Sequence, residues 1–295
     1  MNLYIERGSI PPTGQCAACT GTLIARHALE ILGKNTVTLR VASCGAGWRG
    51  RSLICGSLGY SCFASGGAAA SGVSRGFQIQ GKKVNVVMFA GDGGSYDIGL
   101  QALSAAAERG ENVIWICSNN EAYMLTGVQR SGATPIWAAT STTPVGKVHK
   151  GKQREKKEIF STLEGSGAAY IATASMDNIS DFRKKIEKAK QISTEEQRGL
   201  SYIEVLHTCP TGWRYPTDQM IQVSRLAVQT AWWPLFEIQN GVFRLSYKPK
   251  EIRPVSEFVK MQGRFRHITD DQMEIIQSKV ITTWNKLLER ETKQE

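Results

Sequence analysis

Val84-Asn85-Val86-Val87-Met88-Phe89-Ala90 runs directly into Gly91-Asp92-Gly93-Gly94, and this stretch decides the fold. Its first half is an almost continuous apolar run with no polar alternation, the pattern of a strand buried on both faces of a parallel sheet. The glycines end it in a tight turn. Ile98 to Gly110 then has helical spacing, with Ala102, Leu103 and Ala106 facing inward and Gly110 as a stop, and Asn112 to Ser118 reads as a second buried strand. Strand, glycine turn, helix and strand make a βαβ unit, which predicts an α/β fold: a mainly parallel sheet with helices on both faces.

Working upstream, Cys16 to Leu32 has helical spacing, with Leu23, Ile24, Ala28, Leu29, Ile31 and Leu32 on one face and Gly33 past its end. Thr36 to Ser43 is a β-branched run and reads as a strand. Gly45 to Cys62, rich in Gly, Ser and Arg, reads as a surface loop, and the Gly- and Ala-rich Ser65 to Ile79 as a helix close against the sheet. Downstream, Lys147 to Glu158 is a basic polar insertion. Ile159 to Gly167 and Ile179 to Ser193 read as helices, Tyr170 to Ala174 and Ser201 to Leu206 as strands. The segment from Thr217 onward, with Trp232, Trp233 and Phe236, reads as a helical, aromatic C-terminal tail, closing with Ile268 to Lys293. The expected division is an α/β domain over 1–215 and a helical extension over 216–295.

Composition bounds the function. In 295 residues, 41% hydrophobic and 21% charged side chains suit a sizeable core and exclude a disordered or collagen-like chain. The formal net charge of +10 is compatible with phosphate binding, an acidic partner or nucleic acid. Arg49, Arg51, Lys147 to Lys157 and Lys184 to Lys190 carry that charge, but no nucleic-acid-binding signature accompanies them, so they read as solvated or subunit-facing surface. Seven cysteines are too few and too irregular for a disulfide scaffold and point to a reducing compartment. Met1 to Gly14 lacks an apolar signal-peptide core, and the longest apolar runs are far short of a membrane span, so a cytoplasmic protein is expected.

The chemistry lies at the ends of the two central strands. Twenty-five residues separate Gly93 from Asn119, the length of a helix plus a strand, so Gly91-Asp92-Gly93-Gly94 and Asn119-Asn120 fall at the same edge of the sheet. Ligands of parallel sheets bind at the carboxyl ends of the strands. Asp92 and Asn120 offer hard oxygen donors suited to Mg²⁺. Gly91, Gly93 and Gly94 let backbone approach a diphosphate at the start of a helix. Gly-Asp-Gly by itself is an ordinary turn; the spacing and the asparagine pair together set it apart. Cys16-Ala17-Ala18-Cys19, Cys44 and Cys209 form a second set. By spacing, the C-x-x-C could be redox-active, half a zinc site or half an iron–sulfur site. Cys117 reads as core, and Cys55 and Cys62 have no assignment. Of His27, His149, His207 and His267, only His207, two residues before Cys209, is placed to line a site.

The Gly-Asp-Gly and Asn-Asn pair resembles the thiamine diphosphate-binding motif. Asn119-Asn120-Glu121-Ala122-Tyr123-Met124, Thr126 to Pro135 and Thr142 to Gly146 narrow the resemblance to the β subunit of the 2-oxoacid:ferredoxin oxidoreductases, the pyruvate synthase group. It runs from about Gln15 to Trp213 and is most specific between Gly91 and Gly146. The resemblance implies a thiamine diphosphate-binding fold, with Mg²⁺ held by the side chains of Asp92 and Asn120 and the Ala122 carbonyl, and with Cys44 and Gly45 beside the cofactor. It also implies a [4Fe–4S] cluster on Cys16, Cys19, Cys44 and Cys209, the last in Cys209-Pro210-Thr211-Gly212-Trp213. The implied reaction is oxidative decarboxylation of a 2-oxoacid with coenzyme A, giving acyl-CoA, CO2 and a reduced acceptor, either ferredoxin or a NAD-linked subunit. The chain lacks a C-x-x-C-x-x-C-x-x-x-C run for further clusters and the glutamate that activates the cofactor. It is therefore expected to work only with partner subunits of α, γ and ferredoxin-like δ type, which the tail would contact, and with neither nucleic acid nor membrane.

Two departures from the family pattern bear on substrate. Tyr123-Met124-Leu125-Thr126-Gly127 carries Leu125 where the family commonly has an asparagine facing the substrate. An apolar wall there favours a bulky or aryl 2-oxoacid, such as phenylglyoxylate, over pyruvate. Cys44-Gly45-Ala46-Gly47-Trp48-Arg49 also departs, and Trp48 reads as a packing residue. Two other readings compete. A non-oxidative thiamine diphosphate-dependent decarboxylase or synthase would need no cluster cysteines, and a zinc-stabilised basic nucleic-acid-binding module would bind neither thiamine nor iron.

Overall fold

The computed structural model describes residues 14–44 and 62–294. Gly45, Trp48, Arg49, Arg51 and Cys55 lie outside the described residues, so the expectations attached to them have no structural counterpart here. Among the described residues the strands are β1 (Thr36–Arg40), β2 (Asn85–Gly91), β3 (Ile114–Asn119), β4 (Tyr170–Ser175), β5 (Ser201–Leu206), β6 (Phe236–Gln239) and β7 (Val242–Leu245). They form one sheet in the order β1-β2-β3-β5-β4-β6-β7. The first five are mutually parallel; β6 and β7 run antiparallel at the far edge.

Alternation along each central strand feeds two cores. Val87 and Phe89 of β2, Ile114 and Ile116 of β3, and Ile203 and Val205 of β5 face α1 (Thr20–Leu32) and α5 (Ile179–Lys190). Val86, Met88 and Ala90, with Trp115, Cys117 and Tyr202, face α2 (Gly66–Ile79), α3 (Leu100–Glu108) and α4 (Ile159–Gly165). Cys117 is thus a core residue. The register matters for function: Gly91 stands opposite Ser118, and Asn119 opposite Leu206. The carboxyl ends of β2, β3 and β5 are therefore level, and the residues that follow them emerge side by side.

Several details differ from the sequence reading. The helix expected from Ile98 starts at Leu100 and is preceded by a π-helical turn over Gly93–Asp97. Its buried side chains are Leu103, Ala106 and Ala107. Ala102 is only half-buried, and its carbonyl lies close against Gly67. The tail is helical in α7 (Met220–Gln229), α8 (Val255–Val259) and α9 (Asp270–Thr292), but between α7 and α8 it adds the β6–β7 hairpin to the sheet. Its aromatic residues form a third core: Trp233, Phe258 and Phe265 pack with Trp213 and Val223. The basic segments are not uniformly solvated surface. Lys152 is buried and its ammonium donates to the carbonyls of Thr134 and Glu155. Lys157 donates to the Tyr96 carbonyl and pairs with Asp97 at 2.5 Å. Lys185 is buried against Asp181, the Thr173 carbonyl and Ser246. The charges of Lys152 and Lys185 are consumed inside the fold, because a buried ammonium without acceptors would be costly, whereas the paired Lys157 stays exposed. No helix among the described residues is long and apolar enough to cross a membrane.

The α2–α3 contact yields a test. A Cβ at Gly67 would lie 2.2 Å from the Ala102 carbonyl oxygen, a backbone atom that cannot swing away, whereas a Cβ at the exposed Gly72, one turn on, meets nothing within 4 Å. Gly67→Ala should lower stability by about 1–3 kcal/mol. Gly72→Ala should raise it by roughly 0.5–1 kcal/mol through helix propensity. Denaturant midpoints of the two variants measure both; equal midpoints would contradict the close packing.

Candidate active site

The level strand ends deliver Asp92 from β2 and Asn120 to Ala122 from β3. Asp92 is 1% exposed. The Asn120 amide has its nitrogen 3.9 Å from Cys44 Sγ, while its oxygen faces the Ala122 carbonyl oxygen at 2.7 Å and Asp92 Oδ1 at 3.2 Å. In this orientation three oxygens converge; with the amide turned over, its nitrogen donates to both neighbours. A carboxylate, an amide oxygen and a backbone carbonyl are the donors a hard divalent ion takes. The other carboxylate oxygen, Asp92 Oδ2, accepts from the Ser131 hydroxyl at 2.5 Å. Burial pushes the Asp92 carboxyl up to about 8, against the lowering effect of Ser131 and with the charges of Glu121 and Glu204 adding to the rise.

The glycines serve close packing. A Cβ at Gly93 would sit 2.3 Å from the Tyr123 ring, and one at Gly94 would meet Val41 at 2.9 Å. Tyr123 is held over that turn by Asp97 at 3.2 Å, and Asp97 also accepts from the Gly132 N–H at 2.7 Å. Tyr123 pairs with Gln129 through backbone hydrogen bonds in both directions, closing a loop whose tip presents Leu125. Leu125 is 57% exposed, turned away from the protein interior.

The thiols form the second part of the site. Cys19 is the N-cap residue of α1, Cys44 follows β1, and Cys209 is the N-cap of the short helix α6 (Pro210–Trp213), where the Gly212 N–H donates to its sulfur at 3.3 Å. Burial pushes Cys19 up to about 11 and Cys44 up to about 12, and raises Cys209. Beyond burial, Cys16 and Cys209 bear electrostatically on Cys19, Cys16, Cys19 and Cys209 on Cys44, and Cys16 on Cys209; Cys16 itself is exposed. Yet among the described residues no group of three His, Cys, Asp or Glu side chains is disposed to hold a single metal ion. Cys44 also feels the charge of Asp92, which ties the thiols to the oxygen cage. His207 is 2% exposed, with Nδ1 2.7 Å from Ser118 Oγ and Nε2 3.2 Å from Cys19 Sγ; burial lowers it to about 4, so it is neutral at pH 7. It stands against the thiols.

Sequence reading did not find Ser131, the hydrogen-bond donor to Asp92, nor Ser118, the partner of His207. It also missed Glu121 and Arg264, a buried ion pair at 2.5 Å beside the oxygen cage. Ser131 lay inside a quoted motif without a role. Arg264 sits 143 residues from Glu121, and no local pattern connects the two.

The family profile described as thiamine pyrophosphate enzyme, C-terminal TPP binding domain, matches residues 39–205. The chain is 43% identical over 290 residues to pyruvate synthase subunit PorB of Methanothermobacter thermautotrophicus, covering 95% of this chain and 97% of that protein. It is 41% identical over 283 residues to ketoisovalerate oxidoreductase subunit VorB of Pyrococcus horikoshii, covering 92% and 89%. Among solved structures, a 2-oxoglutarate:ferredoxin oxidoreductase from Magnetococcus marinus shares the fold, with a TM-score of 0.57 at 20% identity, over 76% of this chain and 80% of that one.

Asp92 gives a pH prediction. Its carboxyl is raised in the folded chain, so the folded state is favoured while the group is protonated in both states, near pH 4 and below. That contribution is lost as pH rises towards 8. At pH 7, without divalent cations, Asp92→Asn should therefore stabilise the chain, by roughly 1–3 kcal/mol. The advantage should vanish near pH 4. Unfolding midpoints against pH check this; a variant less stable than wild type at pH 7 would refute the buried-charge account.

Proposed function

This chain belongs to the thiamine pyrophosphate-binding β subunits of the 2-oxoacid:ferredoxin oxidoreductases, and from that premise we propose that it binds thiamine diphosphate, Mg²⁺ and a [4Fe–4S] cluster for the oxidative decarboxylation of a 2-oxoacid to acyl-CoA. The observation that carries this is the convergence of the Asp92, Asn120 and Ala122 oxygens beside four gathered cysteines. When bound, thiamine diphosphate supplies the carbanion and electron sink for decarboxylation, and the cluster takes electrons singly.

The chain's own residues bind and orient. Asp92, Asn120 and the Ala122 carbonyl would hold Mg²⁺ against the diphosphate, with Ser131 fixing the carboxylate through Oδ2 and leaving Oδ1 for the ion. Gly91, Gly93 and Gly94 would bring the β2 turn up to the diphosphate. Cys16, Cys19, Cys44 and Cys209 would ligate the iron. The raised pKa values of Cys19, Cys44 and Cys209 mean that ligation there must displace protons, which a cationic core drives. A tetrahedral zinc needs sulfurs at about 2.3 Å from one centre. A cubane cluster holds its thiolates farther apart than one zinc ion does. His207, neutral, can donate its Nε2 proton to the Cys19 sulfur while Ser118 donates to Nδ1; such hydrogen bonds tune a cluster. The same four cysteines argue against a non-oxidative decarboxylase.

The exposed Leu125 supports an apolar wall completed by another polypeptide, and with it a bulky or aryl 2-oxoacid such as phenylglyoxylate in preference to pyruvate. Partner subunits of α, γ and ferredoxin-like δ type would supply the remaining clusters, the coenzyme A contacts and the route to ferredoxin or a NAD-linked acceptor, in the cytoplasm.

Two measurements test these readings. Anaerobically purified complex should show broad absorption near roughly 400 nm that bleaches on reduction. Cys209→Ser should remove the share of iron held here, and zinc in place of iron would refute the cluster. In turnover, an aryl or branched 2-oxoacid should exceed pyruvate in kcat/KM, and Leu125→Asn should shift the ratio towards pyruvate by about ten-fold. A wild-type preference for pyruvate would sink the substrate reading.

A further inference from the structure

Glu121 lies between two residues of the oxygen cage, Asn120 and Ala122, and its backbone is left-handed at φ +61°, a conformation that costs a non-glycine residue energy and persists only where the surroundings hold it. Three contacts hold it. The Glu121 N–H donates to Asn119 Oδ1 at 2.8 Å, its carbonyl accepts from Thr134 Oγ1 at 2.6 Å, and its carboxylate is paired with Arg264. Arg264 comes from the C-terminal extension and is 2% exposed. Its guanidinium lies 4.0 Å from the centre of the Trp213 ring, and its Nε donates to the buried Gln262 at 2.8 Å. Trp213 closes the short helix that Cys209 begins, and its indole N–H donates to the Asn120 carbonyl at 2.9 Å. A closed circuit therefore runs from the oxygen cage through Glu121, Arg264 and Trp213 back to Asn120, passing the turn that carries Cys209.

We propose that Arg264 is a positioning residue that locks the Asn120–Ala122 loop and the Cys209–Trp213 turn to each other, so that the oxygen cage and the thiol set keep one relative placement. The planar guanidinium is what makes this possible: it pairs with a carboxylate at its edge while stacking on an indole by its face, which an ammonium cannot do. It also places a fixed positive charge within electrostatic reach of Cys209. The inference rests on the assignment of these two sets to thiamine diphosphate with Mg²⁺ and to an iron–sulfur cluster, and its test separates the two.

The assembled complex, purified without oxygen, is compared as wild type, Arg264→Lys, Arg264→Gln and Glu121→Gln/Arg264→Gln. The double variant leaves no unpaired buried charge and so decides the matter if the single variant fails to assemble. Thiamine diphosphate affinity in the presence of Mg²⁺ is read by equilibrium dialysis, and the reduced cluster by its electron paramagnetic resonance spectrum and midpoint potential. Both neutral variants should bind thiamine diphosphate roughly ten- to a hundred-fold more weakly. They should also alter the spectrum and lower the potential. Arg264→Lys should recover the potential, since the charge remains, but not the spectrum, since the stack is lost. A folded double variant with affinity within about two-fold of wild type and an unchanged spectrum would overturn the proposal. A wild-type complex without iron on this chain would sink the cluster assignment instead, and the affinity measurement alone would then decide the role of Arg264.

Discussion

The whole site depends on one electrostatic constraint: a carboxyl group, Asp92, placed out of water beside the Asn120 amide and the Ala122 carbonyl. Such a group is costly to charge, which its raised pKa expresses. A positive ion placed there would turn that cost into binding energy. The surrounding residues make sense in that light. Ser131 occupies one carboxylate oxygen so that only the other points inward, and the strained backbone of Glu121 is accepted because it presents the neighbouring amide and carbonyl oxygens on the same side.

The parallel sheet makes this arrangement possible. Because β2, β3 and β5 end level, three turns from distant parts of the chain meet at one edge, bringing Asp92, Asn120 and His207 together. β1 adds Cys44 beside them. Side chains that cover such an edge must leave room for backbone, which accounts for Gly93 under the Tyr123 ring and Gly94 against Val41. Oxygen donors and thiols thus end up as neighbours.

The C-terminal extension does more than cover surface. Its hairpin extends the sheet, its aromatic residues build a third core around Trp213, and Arg264 reaches into the loop that carries Asn120 and Ala122. The basic character of the chain is partly absorbed in the same way: the buried Lys152 and Lys185 tie loops and helices together from within, and Lys157 pairs with Asp97 at the surface.

What could be read from residues alone was whatever is local or periodic. The apolar run of β2, the glycine turn and the spacing to Asn119 identified the βαβ unit and the edge where ligands bind, because buried strands and tight turns impose residue types on their own positions. The β6–β7 hairpin was not read from the sequence, although its signal is local: Asn240-Gly241, both at positive φ, joins Phe236–Gln239, where apolar and polar residues alternate, to Val242–Leu245. Nor were the partners of the site. Ser131 with Asp92, Ser118 with His207, and Glu121 with Arg264 lie 39, 89 and 143 residues apart. A hydroxyl, imidazole or guanidinium acquires its meaning only from the group it faces, and that is decided by how the chain packs. The sequence by itself determined the chemistry on offer; the tertiary structure decided which oxygens lose their water and which charges come to balance them.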